Sequence, residues 1–219
     1  MRLNDLQQRL EDIYAIQTSY PVEAFVTTNR ELADTLENNP AARCLPEKLL
    51  IRTTADGIDL SLYLDKTIVD QLSVCDITSN GHEDHMETFC TAVEGISHFV
   101  YLLWRAQQGY SVSLLELELQ AEVDKYIMAA AILAQHDQGK VPLHLHAQLF
   151  DHCYFDPQLN SAELQRYQQA NVFARDYCLT LHNTLMKHGD SYTVTREIRR
   201  FYRLWHTQKL QYIRQHYLN

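Results

Sequence analysis

The chain contains 219 residues, of which 46% are hydrophobic, and its 28 acidic residues outnumber its 19 basic residues to give a formal net charge of −9. No run approaches the roughly 18 apolar residues of a membrane span, and the N-terminal stretch lacks the apolar centre of a signal peptide. We therefore expect a soluble, cytoplasmic protein that folds as one domain over residues 1–219, with an N-terminal part at 1–78 and a helical bundle at 79–219.

The N-terminal part is predicted to contain helices and a β-hairpin. Leucines at helical spacing over residues 2–16 indicate an amphipathic helix. Between about residues 48 and 64, alternating apolar and polar residues accompany Asp56-Gly57, a dipeptide that is typical of a tight turn. A lone hairpin is only marginally stable in water. We therefore predict that the hairpin packs on helices and pairs either with the segment 23–27 or with a second subunit.

Four long helices are predicted in the second part, because only 6 glycines and 5 prolines interrupt the chain. Capping boxes and glycines mark several of their ends. The four helices cover about residues 82–108, 113–136, 160–188 and 193–217, and a short helix lies between the second and the third. The predicted fold is therefore mainly α, a multi-helix bundle on which the N-terminal β-hairpin packs.

The second long helix contains many acidic residues. On a helical wheel its polar residues form two stripes on nearly opposite sides: Glu116, Gln120 and Asp124 on one, and Glu118, Glu122 and Lys125 on the other. Apolar residues fill both flanks between the stripes, which predicts a helix wedged between neighbours. We expect one stripe to face water and the other to be at least half covered.

The first long helix carries a narrow polar stripe, and a short connection makes it the antiparallel neighbour of the second. If the narrow stripes face each other, a buried polar cluster forms. Its predicted members are Glu94, His98, Arg105, Glu118, Glu122 and Lys125. Buried carboxylates repel one another strongly unless cations accompany them. We favour an ion-pair network, and an ordinary solvated stripe is an alternative.

A divalent metal ion is another candidate for the compensating cation. Glu94, His98, Glu118 and Glu122 offer the ligand types that bind iron, manganese or zinc in helical bundles. The spacing differs from the Glu-x-x-His motif of di-iron bundles, because Glu94 and His98 are four residues apart. Two further histidine groups are weaker candidates for zinc: His82 with His85, and His144 with His146 and His152.

The C-terminal end of the chain is basic. Residues 187–219 contain seven basic residues and two acids, so the remainder carries a formal charge of −14. The fourth long helix interleaves aromatic residues with Arg196, Arg199, Arg200 and Arg203, a pattern that suits nucleic acid. We favour packing of this helix against the acidic body, because a chain with net negative charge repels a polyanion.

No recognisable catalytic nucleophile, glycine-rich dinucleotide loop or Walker motif occurs in the sequence. We therefore predict an interaction or regulatory protein without catalytic activity of its own and without a cofactor. Its acidic body and basic end favour a homodimer or a protein partner, and no membrane association is expected. A metal-dependent helical-bundle enzyme is the second hypothesis, and nucleic-acid binding is the third.

Overall fold

The computed structural model describes residues 1–37, 45–54, 57–78, 83–151, 155–188 and 191–217. Helices make up most of this part of the chain, and a small three-stranded sheet lies in its N-terminal part. The predicted mainly α fold with a packed β-hairpin is therefore confirmed. Among the described residues, no helix combines the length and apolar character that crossing a lipid bilayer requires.

The N-terminal part begins with the predicted amphipathic helix, α1 (Leu3–Tyr14), which buries its leucines in the main core. One turn of 3-10 helix at Val22–Ala24 and a two-residue strand, β1 (Val26–Thr27), follow it. The next element is a short helix, α2 (Arg30–Glu37). Asn29 caps α2, because its side chain accepts a hydrogen bond from the Leu32 N–H.

The predicted hairpin consists of β2 (Glu47–Thr54) and β3 (Gly57–Leu64), which pair antiparallel along their whole length. β1 pairs in parallel with the other edge of β3, so the strand order is β1-β3-β2. Of the two predicted partners of the hairpin, the segment 23–27 is therefore the one that the structure contains. Asp56 of the predicted turn lies outside the described residues.

Seven helices follow the sheet in the described part of the chain: α3 (Lys66–Leu72), α4 (Glu83–Gln107), α5 (Leu114–His136), α6 (Leu145–Phe150), α7 (Ser161–His188), α8 (Ser191–Arg203) and α9 (His206–Tyr217). The helices α4, α5, α6 and α7 match the first, second, short and third predicted helices. The pattern did not indicate α3, although Asp65 caps it by accepting hydrogen bonds from the Thr67 N–H and hydroxyl.

The fourth predicted helix is wrong in one respect, because it is two helices, α8 and α9, instead of one. The Phe201 carbonyl accepts a hydrogen bond from the Leu204 N–H, three residues ahead, instead of from Trp205. The Trp205 N–H bonds to the Gln208 side chain. The break turns α9 so that Lys209 enters the interior, where it is fully buried. No glycine or proline marks this break in the sequence.

Gly95 in α4 is the point where the sheet packs on the bundle. A Cβ atom at this position would lie 2.9 Å from Glu47 Cγ and 3.1 Å from Leu62 Cδ1, closer than normal van der Waals contact. With any larger residue here, these side chains or the strands that carry them would have to shift, so glycine permits the close approach. It therefore brings Glu47, at the start of β2, against the polar stripe of α4.

Candidate functional site

Both polar stripes of α5 are covered, so the expectation that one of them faces water is wrong. Glu116 is 2% exposed, and Gln120 and Asp124 are completely buried. In the second stripe, Glu118 is 8% exposed. The reason is the central position of α5, which contacts α1, α4, α6 and α7, while Lys209 of α9 reaches Gln120. The two stripes form two separate polar sites.

The second stripe belongs to a group that we call the inner charged cluster, made of Glu47, Glu94, His98, Glu118, Glu122, Lys125 and Arg166. His98 lies at its centre, between two carboxylates. Its Nδ1 is 3.4 Å from Glu47 Oε1, and its Nε2 is 3.6 Å from Glu118 Oε2. The antiparallel contact of α4 with α5 brings His98 to Glu118, as the sequence predicts. Glu47 lies against His98 because Gly95 lets β2 pack closely on α4.

Two further cations complete the cluster. The Lys125 ammonium lies 2.7 Å from Glu122 Oε1 and 3.2 Å from Glu94 Oε2, so it joins two carboxylates. Arg166 of α7 places its Nε 3.4 Å from Glu118 Oε1. All these side chains are at least two-thirds buried, which makes their mutual attraction stronger than that of a surface pair. The arrangement has the geometry of an ion-pair network.

Neighbouring charges hold His98 and Glu94 in their ionised forms. Burial favours a neutral imidazole, but Glu47 and Glu118 raise the pKa of His98 well above its ordinary value. Burial likewise favours a protonated Glu94, but Lys125 and His98 together lower the pKa of that carboxyl. His98 and Glu94 are therefore charged because groups of opposite charge lie beside them.

The cluster contains more negative than positive charge. Burial raises the pKa of Glu122 despite the nearby Lys125, and burial also raises the pKa of Glu47 despite His98. Four carboxylates face only two permanently charged bases, Lys125 and Arg166. Within the described residues, the inner charged cluster is therefore short of cations.

Arg105 does not belong to this cluster, although the sequence analysis places it there. It lies two turns beyond His98 on α4, where the antiparallel α5 presents Glu116 instead of Glu118. Its Nη2 is 3.8 Å from Glu116 Oε1, and its guanidinium stands 4.9 Å from the centre of the Tyr110 ring. The hydroxyl of Tyr101 donates a hydrogen bond to the Glu116 carboxylate.

The first stripe of α5 supports a second buried polar network around Asp124. Its carboxylate accepts hydrogen bonds from the Tyr14 hydroxyl at 2.5 Å, the Ser97 hydroxyl at 2.6 Å and the Gln120 amide at 2.8 Å. Lys209 donates to Gln120 Oε1. Burial raises the pKa of Asp124 to about 6 and lowers the pKa of Lys209 to about 7. This network joins α1, α4, α5 and α9.

A cavity of about 770 Å³ opens beside the inner charged cluster. Its polar wall carries Glu47, Glu94, Glu122 and Lys125 of that cluster. Its apolar wall includes Leu45, Met86, Leu149, Phe155, Leu159 and Tyr167. A space of this size suits a small organic molecule, because ligand cavities usually measure roughly 300–1,000 Å³.

Three members of the inner charged cluster also suit a metal ion. Glu94, His98 and Glu118 each offer one ligand atom, and these atoms lie within 4.8 Å of one another. Glu122, the fourth ligand of the metal hypothesis, is not part of this group and bonds to Lys125. Within the described residues, the other candidate histidines form no such group.

The described members of those other histidine groups bond to backbone carbonyls or are exposed. The His85 Nδ1 lies 3.1 Å from the Asp76 carbonyl oxygen, and its predicted partner His82 lies outside the described residues. His146 is buried with its Nε2 2.8 Å from the Arg175 carbonyl oxygen, whereas His144 is exposed. His152, the third member of that group, also lies outside the described residues.

The arginines of the predicted basic helix lie on α8, and two of them contact α1. Arg199 donates to the carbonyls of Asp12 and Ile13, and Arg203 donates to those of Tyr14 and Ala15. These carbonyls form the negative C-terminal end of the α1 dipole. The helix therefore packs on the acidic body as expected, but through backbone carbonyls instead of acidic side chains.

The remaining two arginines of this helix, Arg196 and Arg200, are exposed. The Arg200 guanidinium stands 5.1 Å from the centre of the Tyr212 ring. Arg199 and Arg203 therefore hold α8 against α1, and Arg200 contacts α9.

The sequence pattern missed five residues of these two sites: Glu47, Arg166, Tyr14, Ser97 and Lys209. Glu47, Arg166, Tyr14 and Lys209 lie on elements other than α4 and α5. Ser97 is the neighbour of His98 on α4 but bonds to Asp124. The sequence offered one indication of these partners. The apolar flanks of α5 imply that its carboxylates are buried, and buried carboxylates require donors or cations from neighbouring elements.

Comparison with protein-family models, with curated proteins and with solved structures finds no match for this chain. The geometry of the two sites and of the cavity is therefore the basis of the functional proposal.

Proposed function

We propose that this chain is a regulatory binding protein whose cavity takes a small amphipathic organic cation, such as an amine with an apolar tail. The observation that carries the proposal is the cavity of about 770 Å³, whose lining combines acidic with apolar side chains. The proposal keeps the predicted role of an interaction or regulatory protein and adds the chemical class of a ligand.

The charge of the cavity wall favours a cation. Among the described residues, five acidic side chains and one basic side chain line the cavity: Glu47, Glu87, Glu94, Glu122, Asp156 and Lys125. The single ammonium already bonds two of these carboxylates. A positively charged ligand group would offset the remaining excess of negative charge, whereas an anion would meet repulsion.

The apolar wall favours a hydrocarbon tail. Phe155, Leu149 and Met86 line the cavity and are partly buried, so a tail that contacts them removes apolar surface from water. Each buried methylene stabilises a complex by about 0.8 kcal/mol. Binding therefore combines one charged contact for orientation with apolar contacts for affinity, as is usual for small-molecule sites.

The direct test compares amines with alcohols of the same shape. Phenethylamine and hexylamine are titrated into the full chain by isothermal calorimetry, alongside phenethyl alcohol and hexanol. We expect the amines to bind at least about tenfold more tightly, because a charge-assisted hydrogen bond contributes roughly 1.5–3 kcal/mol.

A cavity-filling variant provides the control for location. Leu159→Trp should weaken amine binding, while Leu32→Trp, a change at an exposed leucine of α2, should leave it unchanged. Equal affinities for amine and alcohol, or equal affinities in the two tryptophan variants, would refute the proposal.

We also propose the predicted homodimer, on the basis of the edge of the sheet. Within the described residues, no strand pairs with the outer edge of β2. Ile51 on β2 is 47% exposed, and Ile58 on β3 is 52% exposed. An open strand edge with exposed apolar residues is a common site of association between chains.

Sedimentation at micromolar concentration tests the dimer. We expect the wild-type protein to sediment at twice the chain mass of 25.6 kDa. Ile51→Lys should shift it to the monomer, because a charged side chain at the strand edge opposes pairing. Val74→Lys, a change at an apolar residue that is 74% exposed elsewhere, is the matched control and should remain dimeric. A monomeric wild-type protein is the contrary result.

The contacts of Arg199 and Arg203 weigh against the third hypothesis, nucleic-acid binding. Their guanidinium groups already donate to carbonyls of α1, so they offer fewer donors to phosphates. The excess of acidic residues elsewhere in the chain also repels a polyanion.

A further inference from the structure

We propose that Glu94, His98 and Glu118 form a binding site for a divalent first-row transition metal ion such as Zn²⁺, Mn²⁺ or Fe²⁺. The proposal goes beyond the cavity ligand, because the ion would lie in the inner charged cluster, where His98 and Glu118 are not part of the cavity wall. Two independent observations support it.

The first observation is the convergence of suitable ligand atoms. One imidazole nitrogen and two carboxylate oxygens lie within 4.8 Å of one another. Imidazole and carboxylate are the ligand types that Zn²⁺, Mn²⁺ and Fe²⁺ accept in helical bundles. Metal–ligand bonds of about 2.1 Å would require the three side chains to close around the ion by roughly 1 Å.

The second observation concerns the atom that His98 directs into this group. Its Nε2 is buried and has no hydrogen-bond partner in the described part of the chain, since Glu118 Oε2 stands 3.6 Å away. The residue as a whole is 7% exposed. A buried ring nitrogen without a hydrogen bond is costly, and a bound ion would satisfy it.

The other ring nitrogen of His98, Nδ1, already faces a carboxylate. Nδ1 faces Glu47 Oε1 at 3.4 Å, so a neutral imidazole would donate from Nδ1 and leave Nε2 free to bind a metal. A carboxylate behind a ligating histidine is the usual arrangement in zinc sites. Gly95 lets β2 approach closely enough to provide this carboxylate.

The charge of the cluster matches a divalent ion. The ion would take the place of the His98 proton, and four carboxylates would then face Lys125 and Arg166, which leaves two negative charges for the ion to offset. A divalent cation brings the whole cluster to neutrality. Lys125 and Arg166 would then stabilise oxygens of Glu94 and Glu118 from outside the ligand set.

The test uses the full chain without a histidine tag, stripped with chelator and titrated with Co²⁺ alone. Calorimetry and the visible absorption of Co²⁺ report the binding independently of any cavity ligand. We expect one equivalent to bind with micromolar or tighter affinity, with absorption bands typical of nitrogen and oxygen ligands in a site of low symmetry. Parallel titrations use Zn²⁺ and Mn²⁺.

Matched variants locate the site. Glu118→Gln and His98→Gln should weaken Co²⁺ binding by at least about thirtyfold, since second-shell changes alone cost about 10–100-fold. His182→Gln changes a buried histidine outside the group, and should stay within about threefold. If a ligand variant does not fold, the wild-type melting temperature still decides, because bound metal should raise it and chelator should reverse the rise.

A melting temperature that changes with neither Co²⁺, Zn²⁺ nor chelator would refute the proposed metal site. Equal Co²⁺ affinity in wild type and Glu118→Gln would overturn it too. Neither result affects the amine proposal, which is measured without metal.

Discussion

Replacement of Asp124 by leucine is expected to lower the free energy of unfolding by about 4 kcal/mol or more. The carboxylate accepts hydrogen bonds from three buried donors, on Tyr14, Ser97 and Gln120. Leucine removes the acceptor of all three hydrogen bonds at once, and each buried donor without a partner costs roughly 1–3 kcal/mol. Since small domains are stable by only about 5–15 kcal/mol, this loss is a large share of the total.

Urea unfolding followed by circular dichroism measures this effect. Asp124→Asn should cost less than the leucine variant, because its amide oxygen keeps part of the acceptor capacity. Asp70→Leu is the matched control, since Asp70 forms only an exposed i, i+4 pair with Lys66 and should lose about 0.5 kcal/mol or less. A leucine variant at position 124 that unfolds at the wild-type urea concentration would show that Asp124 is not buried in this network.

The second large effect is expected at Gly95. Gly95→Leu should lower the free energy of unfolding by about 1–2 kcal/mol, because overpacking of a core typically costs 1–3 kcal/mol and helix propensity recovers less than about 1 kcal/mol. The new Cβ would overlap Glu47 Cγ, and it would also press on Leu62 and Leu64. The strands would have to move away from α4.

Ala106→Leu is the control for Gly95→Leu, because it adds a leucine to an exposed position of the same helix and should change stability little. The same variants also report on the inner charged cluster. Movement of β2 would take Glu47 away from His98, so the Gly95 variant should lower the histidine pKa measured by NMR. A Gly95→Leu protein as stable as wild type, with an unchanged His98 pKa, would contradict the close packing of the sheet on α4.

Hydrophobic periodicity was sufficient to predict the helices that form the bundle. It located α1, α4, α5 and α7, because each has an apolar face at helical spacing, and a cap or a glycine marks an end of α4, α5 and α7. The hairpin followed from alternation. The break between α8 and α9 was not predictable in this way, since it depends on the Gln208 side chain and on the burial of Lys209.

The candidate site was predictable only where it lies on two neighbouring helices. The meeting of His98 with Glu118, and of Glu94 with Lys125, follows from a short connection and antiparallel packing. Arg105 was assigned to the wrong cluster, because a wheel projection ignores position along the helix axis. Arg105 lies about two turns beyond His98 on α4, and its partner is Glu116 of the other polar stripe of α5.

Hydrophobic periodicity could not predict the site residues that come from elements distant in sequence. Glu47 enters the inner charged cluster only because the sheet packs on Gly95. Arg166 arrives from α7, and Tyr14 enters the other network from the end of α1. These placements depend on tertiary packing, and the periodicity of a single segment contains no information about it.

The most direct measurement of the proposed function is a calorimetric cycle that combines a ligand change with a side-chain change. Phenethylamine and phenethyl alcohol are each titrated into wild type and into Glu122→Gln. If the cavity recognises a cation through its acidic wall, the substitution should weaken amine binding and leave alcohol binding unchanged, with a coupling energy on the order of 1 kcal/mol. The same loss for both ligands, or no loss for either, would contradict the proposal that the cavity takes an organic cation.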